Sequence, residues 1–561
     1  MDRGVGAFRA LRSLAVVGAI GILVAACGGG STANQGTQLA ADQTLRFPLN
    51  DDIGSFDPAF INAAVDAAFA QNLYDGLLKF DDNLNIVPDI AKEVPTTSNG
   101  GISSDGLTYT FKLRNDVKFS NGDKVTAKDV IYSWNRAAKA QGDYASDLDH
   151  VVGYKDVKGK KATTMSGLTS SDDYTLKVQL TEAAGFFLTE VAFNTAVTGV
   201  VSEKAVTAGG EDTWWTKPET LIGTGPYKMS ARTPKQSLDF VPVDNWWGSP
   251  KPVLKKIHVD IIADLSSAIA KYDQNGFDNV GFGDMNGNIP PEDVLRIKAG
   301  PKSSELKFIQ KTRTTWVGFN YEKGPFAGTA GKDLRKAFSL AIDRTKLVDV
   351  ACSHGVTCSA ATGGLISKGL RGYLGDNADP LAKFDAATAK QLLQSADPNK
   401  TKIKGLVYQY NPGAFNKAIA ENLQSQWQDN LGVKVDLAAT ERQTFFQRRT
   451  KKEYTIFRHS WQADYDHPQD WFDNLFITDA GNGGTGYSNP QLDALVKGAD
   501  AKKTEDALAD YKKASQMMID DAAYAPLVYG VGVFLTKPYV KGPQPNAFND
   551  PYWNELSILQ H

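Results

Sequence analysis

Along most of this 561-residue chain, stretches with an apolar residue at every second position alternate with stretches where they recur every three or four. The first spacing belongs to a strand with one buried face, the second to an amphipathic helix. Their alternation implies an α/β protein. Tyr109, Phe111 and Leu113 predict a half-buried strand, followed by a turn at Ser120-Asn121-Gly122-Asp123. Thr126 then predicts a helix N-cap, with Val130, Trp134 and Ala137 on the buried face. Asp333 to Val350 predicts one amphipathic helix. Phe415, Ile419, Leu423 and Trp427 mark the face of another, stopped by Gly432. Val433, Val435 and Leu437 predict the strand after it. The sequence holds no internal repeat.

The N-terminus points to export. Arg3, Arg9 and Arg12 precede an apolar run from Leu14 to Ala26, which is short for a permanent membrane span. The run ends in Val24-Ala25-Ala26-Cys27, small residues before a cysteine, as at a bacterial lipoprotein cleavage site with Cys27 lipidated. An ordinary signal peptide or a short retained anchor is the alternative. Residues 28–39 begin Gly28-Gly29-Gly30-Ser31 and predict a flexible tether. The expectation is an extracytoplasmic protein held to the cell membrane by lipid, either periplasmic or on the outer face.

With Cys27 used by lipid, Cys352 and Cys358 remain as an even pair in an oxidising compartment, and predict a small-loop disulfide. A metal site through His354, for which no second ligand pair is visible, and two unpaired thiols are the alternatives. The net charge is −3, and the first 27 residues hold three Arg against Asp2, so the remaining body is near −5. A weakly acidic body argues against a nucleic-acid partner. No Gly-x-Ser-x-Gly, His-Glu-x-x-His or Walker-type motif is present, and nothing selects a catalytic pair among 64 carboxylates. Gly481 to Gly486 matches Gly-x-Gly-x-x-Gly but leads into Tyr487-Ser488-Asn489-Pro490, so it predicts a loop. Asp81 to Asn85 begins like a calcium loop, yet Ile86 and Lys92 occupy the positions of its Gly and Glu. His459 and His467 lack ligand spacing. The expectation is a non-enzyme without metal or cofactor.

Four stretches together resemble one family, the large peptide- and nickel-type solute-binding proteins of ABC importers. The first is Ser55-Phe56-Asp57-Pro58 with Leu73-Tyr74-Asp75-Gly76-Leu77-Leu78 and Val87-Pro88-Asp89-Ile90-Ala91. The second runs from Asp105-Gly106-Leu107-Thr108-Tyr109 through Asp129-Val130. The third is Gly223-Thr224-Gly225-Pro226-Tyr227 with Asp244-Asn245-Trp246-Trp247. The fourth is Leu334-Arg335-Lys336-Ala337-Phe338 with Ala341-Ile342-Asp343-Arg344. The resemblance implies a two-lobed periplasmic-binding-protein type II fold with an additional α/β domain in the N-terminal lobe. It implies domain I from residues 40–74, 207–312 and 530–561, domain II from 75–206 and domain III from 313–529. It also implies a monomer that binds short peptides and docks on permease subunits.

Arg458-His459-Ser460-Trp461-Gln462-Ala463-Asp464-Tyr465 resembles the Trp-x-Ala-Asp-Tyr segment of oligopeptide-binding members. There the Asp receives the peptide ammonium, which implies that role for Asp464; capping a loop is the alternative. Arg458 is placed to hold the peptide carboxylate, or else forms an internal salt bridge. Trp461 is placed as a pocket wall, or else as core. The chain also departs from the family. No cation precedes Tyr410-Asn411-Pro412, Asn416 stands where oligopeptide members often carry His, and Arg442 replaces a common Trp. Arg442, Arg448 and Arg449 are either further cations or a solvated helix face. An oligosaccharide, nickel chelate or other small solute is the alternative cargo, with Trp214, Trp215, Trp246 and Trp247 as stacking candidates for a sugar.

Overall fold

The computed structural model describes residues 38–561 apart from 62, 143, 194–196, 283–288 and 549. Cys27 and residues 28–37 of the tether lie outside the described residues. Gln38 and Leu39, expected in the tether, belong to the folded body instead: Leu39 bridges Leu559, and the Gln560 N–H donates to the Gln38 carbonyl at 3.0 Å.

Three sheets of three or more strands organise the described residues. Thr44–Leu49 pairs in parallel with Lys256–Ile261, which continues antiparallel into Ser237–Pro242 and Tyr227–Thr233. Leu45, Phe47, Phe240, Ile257 and Val259 fill its core with Trp553 from the far end of the chain. A three-stranded antiparallel sheet, Thr108–Lys112, Thr175–Gln179 and Leu168–Asp172, carries the Ala127–Ala140 helix. That helix starts where Asp129 accepts from both the N–H and the hydroxyl of Thr126, at 2.8 and 2.9 Å. It buries Val130, Trp134 and Ala137 against Phe111 and Val178. Each such fully buried large side chain contributes about 1.5–3 kcal/mol.

The third sheet is mixed. Its order is Asn279–Val280, Tyr524–Thr536, Leu306–Phe319, Ile456–Gln462, Val407–Tyr410 and Asp436–Ala439. The strands Leu306–Phe319 and Tyr524–Thr536 lie side by side, antiparallel from Leu306↔Leu535 to Gly318↔Tyr524. Register shifts fall between Gln310 and Thr314 and between Thr315 and Trp316. One end of the pair packs Leu306, Val533 and Leu535 into a small core with Tyr272 and Val294. The other end packs Trp316, Val317 and Val528 into the largest core. These two strands thus join two separate hydrophobic cores.

Two local expectations are corrected. Asp333 to Val350 is not one helix but two, Lys332–Leu340 and Arg344–Ala351. Asp343 ends the first run by capping the second, accepting from the N–H groups of Thr345 and Lys346. Arg344 then turns inward to the carbonyls of Pro526 and Ala382. The strand expected from Val433 begins at Asp436, because the left-handed Gly432 leaves Val433 still bonded to the Trp427 carbonyl.

Candidate functional site

The Ile456–Gln462 strand sorts its side chains by parity. Arg458, Ser460 and Gln462 face one side, opposite Val317, Thr315 and Arg313 of the neighbouring strand. His459 faces the other side and stacks on Trp316 with ring centroids 4.4 Å apart and planes 9° apart. The His459 Nε2 lies 3.0 and 3.1 Å from the carbonyls of Asn482 and Gly483, so this ring fastens the Gly481–Gly486 loop. Burial and the charges of Arg449 and Arg458 push its pKa well down and keep it neutral.

Arg458 is buried and has no carboxylate partner among the described residues. Its guanidinium donates to Asn411 Oδ1 at 3.2 Å and Ser460 Oγ at 2.9 Å, both neutral, and its Nε has no partner among the described residues. Burial lowers its pKa to about 10; the Tyr408 hydroxyl opposes this and Arg313 adds to it. Arg449 is its counterpart one element earlier. It is buried, its Nε is unpartnered among the described residues, and burial with the Arg458 charge brings it to about 10. Its guanidinium lies over Phe446 at 5.0 Å. The solvated face expected for this helix fits Arg442 and Arg448, the latter paired with Glu453 at 2.7 Å, but not Arg449.

Asp464 follows the strand and reaches the opposite lobe. Its Oδ1 accepts from the Tyr144 hydroxyl at 3.1 Å, and its N–H donates to Asp470 Oδ2 at 3.3 Å. No described Lys, Arg or His pairs with it. Burial raises its pKa to about 7, against the hydrogen bonds from Tyr144 and Asp470. Trp461 is half-buried against the largest core and donates its indole N–H to Asp470 Oδ2 at 2.9 Å, so it positions Asp470 as well as presenting a ring edge.

A cavity of about 450 Å³ opens beside this sheet face, between Arg313, Thr315 and Gln462 on one side and Phe415, Ser353 and Cys358 on the other. Cys352 and Cys358 have their Cα atoms 5.2 Å apart, within the span of a disulfide. Asn416 donates to the Asn411 carbonyl at 3.0 Å, which shapes the loop that holds Arg458. The tryptophans considered as sugar platforms are spent elsewhere. Trp214 is buried and donates to Asp57, and Trp246 and Trp247 both donate to the Thr224 carbonyl. Trp215 packs edge-on against Phe56.

Sequence reasoning missed Tyr144, Glu190 and Asp470 around these anchors, and offered Arg449 only as a further cation or a solvated face. Asp470 could have been found six residues beyond Asp464, on the first turn of the Gln469–Leu475 helix. The Tyr144 contact spans 320 residues and has no local signal.

Among the described residues, no group of His, Cys, Asp and Glu is arranged to hold a metal ion. None of their helices is long and apolar enough to cross a membrane. Residues 85–483 match the profile of the bacterial extracellular solute-binding proteins, family 5 Middle. Over 540 residues the chain is 29% identical to the periplasmic murein peptide-binding protein MppA of Escherichia coli, covering 94% of this chain and 95% of that one. The unliganded open form of MppA superposes with a TM-score of 0.78 at 27% identity, over 94% of this chain and 99% of that one. OppA of Haemophilus influenzae in complex with RPPGFSPFR superposes with a TM-score of 0.73 at 25% identity, over 93% and 100%.

Proposed function

Because the chain belongs to the bacterial extracellular solute-binding proteins of family 5, we propose that it captures short peptides between its lobes and delivers them to the permease of an ABC importer. The observation that carries this reading is a pair of opposite, uncompensated charges on one segment. Asp464 has no cation and Arg458 has no carboxylate among the described residues, six positions apart in sequence. A peptide supplies both missing charges, its ammonium to Asp464 and its carboxylate to Arg458, through charge-assisted hydrogen bonds. Its backbone bonds strand-like to the cleft, and its side chains occupy roomy space such as the cavity beside Gln462. The similarity to MppA and OppA, whose names speak of murein peptide and oligopeptide, supports this cargo over sugar or nickel chelate.

The moving units in this reading are domain I with domain II against domain III, at the limits given above. Closure turns on the strand pair Leu306–Phe319 and Tyr524–Thr536, and the ligand stabilises the closed form by the contacts it makes only there. Cys27 carries the lipid that keeps the protein at the membrane beside its permease. Cys352 and Cys358 form a disulfide that fixes the loop at the cavity wall.

Native mass spectrometry of residues 28–561 tests the cargo directly: a spread of released masses that fragment as peptides is expected. Titration then tests the anchor. Asp464→Ala loses about 2–5 kcal/mol of peptide affinity, the usual cost of removing a buried charge partner; undiminished affinity would end the amine-anchor assignment.

A further inference from the structure

Asp464 is not alone at the junction between the lobes. The additional domain brings Asp147, on a single helical turn after Tyr144, and Glu190, on the Phe187–Ala192 helix. The C-terminal lobe brings Asp470 and Asp473 on the Gln469–Leu475 helix and Asp500 behind them. The two sides touch. Tyr144 donates to Asp464, Phe193 lies 6.2 Å from the Tyr465 ring, and the Gly185 N–H donates to the Asp500 carbonyl at 2.6 Å. Gly185 has no room for a side chain: a Cβ there would lie 1.5 Å from the Lys502 carbonyl oxygen.

Among the described residues, Lys497 reaches Glu182 at 3.5 Å from an exposed position, and the His150 ring lies 3.5 Å from Asp149. Inside, the pKa values of Asp147, Glu190 and Asp470 are pushed well up, by burial first and then by nearby carboxylates, chiefly Asp464 for Asp147 and Asp470 and Asp147 for Glu190. Asp473 rises to about 6 and Asp500 to about 8 for the same two reasons.

Glu190 is the independent sign that the cluster expects a ligand. It is only 4% exposed, and its Oε2 has no hydrogen-bond partner among the described residues. Its Oε1 lies 3.4 Å from the Tyr465 hydroxyl, whose single proton is committed to Gln469 Oε1 at 2.7 Å. A buried carboxylate with no committed donor is costly unless it holds a proton, as the upward pKa shift of Glu190 allows, or a cation arrives to take that proton's place. One peptide ammonium at Asp464 leaves Glu190 and Asp147 unserved. The side chain of the same first residue departs one carbon from that ammonium, and a lysine or arginine is long enough to carry a second charge past the Tyr465 ring.

Resting on the peptide reading above, we infer that Glu190, with Asp147, makes this junction select peptides whose first residue is basic. Calorimetric titration of the whole protein with three tripeptides tests it: Lys-Ala-Ala, norleucine-Ala-Ala (the same length without the charge) and Ala-Ala-Lys. The wild type is expected to bind Lys-Ala-Ala about tenfold or more tightly than norleucine-Ala-Ala, with Ala-Ala-Lys close to the uncharged peptide. In Glu190→Gln the ratio of the first two affinities falls toward one. Asp147→Asn, on a separate element of the same domain, lowers the same ratio and stands in if the first variant folds poorly. Equal affinities in the wild type, or an undiminished ratio in both variants, would overturn the inference while leaving peptide binding intact. Binding of none of the three would instead remove the peptide reading and this one with it.

Discussion

Buried charges in this protein are of two kinds. Arg136 meets Asp57 through two hydrogen bonds of 2.7 and 2.6 Å, and Asp57 also accepts the Trp214 indole at 2.9 Å while Arg136 reaches Glu211 at 2.9 Å. Arg335 spends its donors on the carbonyls of Ala522, Phe326, Gly328 and Asp521. Those shells are complete. Arg458, Arg449 and Glu190 each keep an unpartnered polar atom among the described residues, and the Asp464 carboxylate accepts from the neutral Tyr144 hydroxyl with no described cation beside it. A complete shell marks a charge that holds the fold; Asp75 and Asp89 also keep an unpartnered oxygen, so it is the place of Arg458 and Glu190 beside the proposed ligand that gives their incomplete shells a role in that reading.

The sharpest way to break this contrast is to remove one member of each kind. Asp57→Ala leaves Arg136 buried without its main partner and is expected to cost about 3–5 kcal/mol of stability, read by urea unfolding, with peptide affinity of the folded protein unchanged. Arg458→Met should do the reverse. Peptide affinity falls by about 2–4 kcal/mol in titration. Unfolding free energy stays level or rises, because a buried cation without a counter-charge is gone. An Arg458→Met protein as unstable as Asp57→Ala would place Arg458 among the structural charges.

The cysteine loop lies between the two kinds, since Cys358 borders the cavity. Closing so short a loop, with a sequence separation of 6, is expected to contribute about 2 kcal/mol of stability. Cys352→Ser with Cys358→Ser should lower the unfolding free energy by that amount, and intact-mass measurement before and after reduction should show the gain of two hydrogens. A change in peptide affinity larger than the change in stability would move this loop to the site.

Acidity gives the smallest effect. The Asp464 pKa near 7 is above the ordinary carboxylate value, so the carboxylate that receives an ammonium is depleted as pH falls through 7. Peptide affinity should drop about tenfold between pH 8 and pH 6. The free protein should respond with the opposite sign. Its folded state binds protons that the unfolded chain does not take up until about pH 4. Its stability therefore rises on acidification from pH 8, and that gain is lost as pH climbs back through 7. A thermal scan of the unliganded protein at both pH values checks the second sign, and a fall in its Tm at pH 6 would contradict it.

Much of the fold was legible because its signals are local. Thr126 with Asp129, and Gly432 after Trp427, mark helix ends within a few residues of sequence. The break at Asp343 was missed because Leu334, Ala337, Phe338, Ala341 and Leu347 keep an apolar stripe running across it. At the site, Arg458 and Asp464 could be read because one strand and its exit carry both. Glu190 could not, since its neighbour Tyr465 is 275 residues away. Nor could the burial of Arg449, which depends on the Gly484 backbone closing over its stem.

The strand pair Leu306–Phe319 and Tyr524–Thr536 has one more consequence. Two hydrogen-bonded neighbours bend far more easily across their plane than they shear or splay, so in the proposed motion they act as a leaf spring with a single soft direction. The separation of any two points on opposite lobes then tracks one variable. A donor and acceptor dye placed on the outer surfaces, far from Asp464 and Arg458, would read occupancy as a distance without touching the ligand.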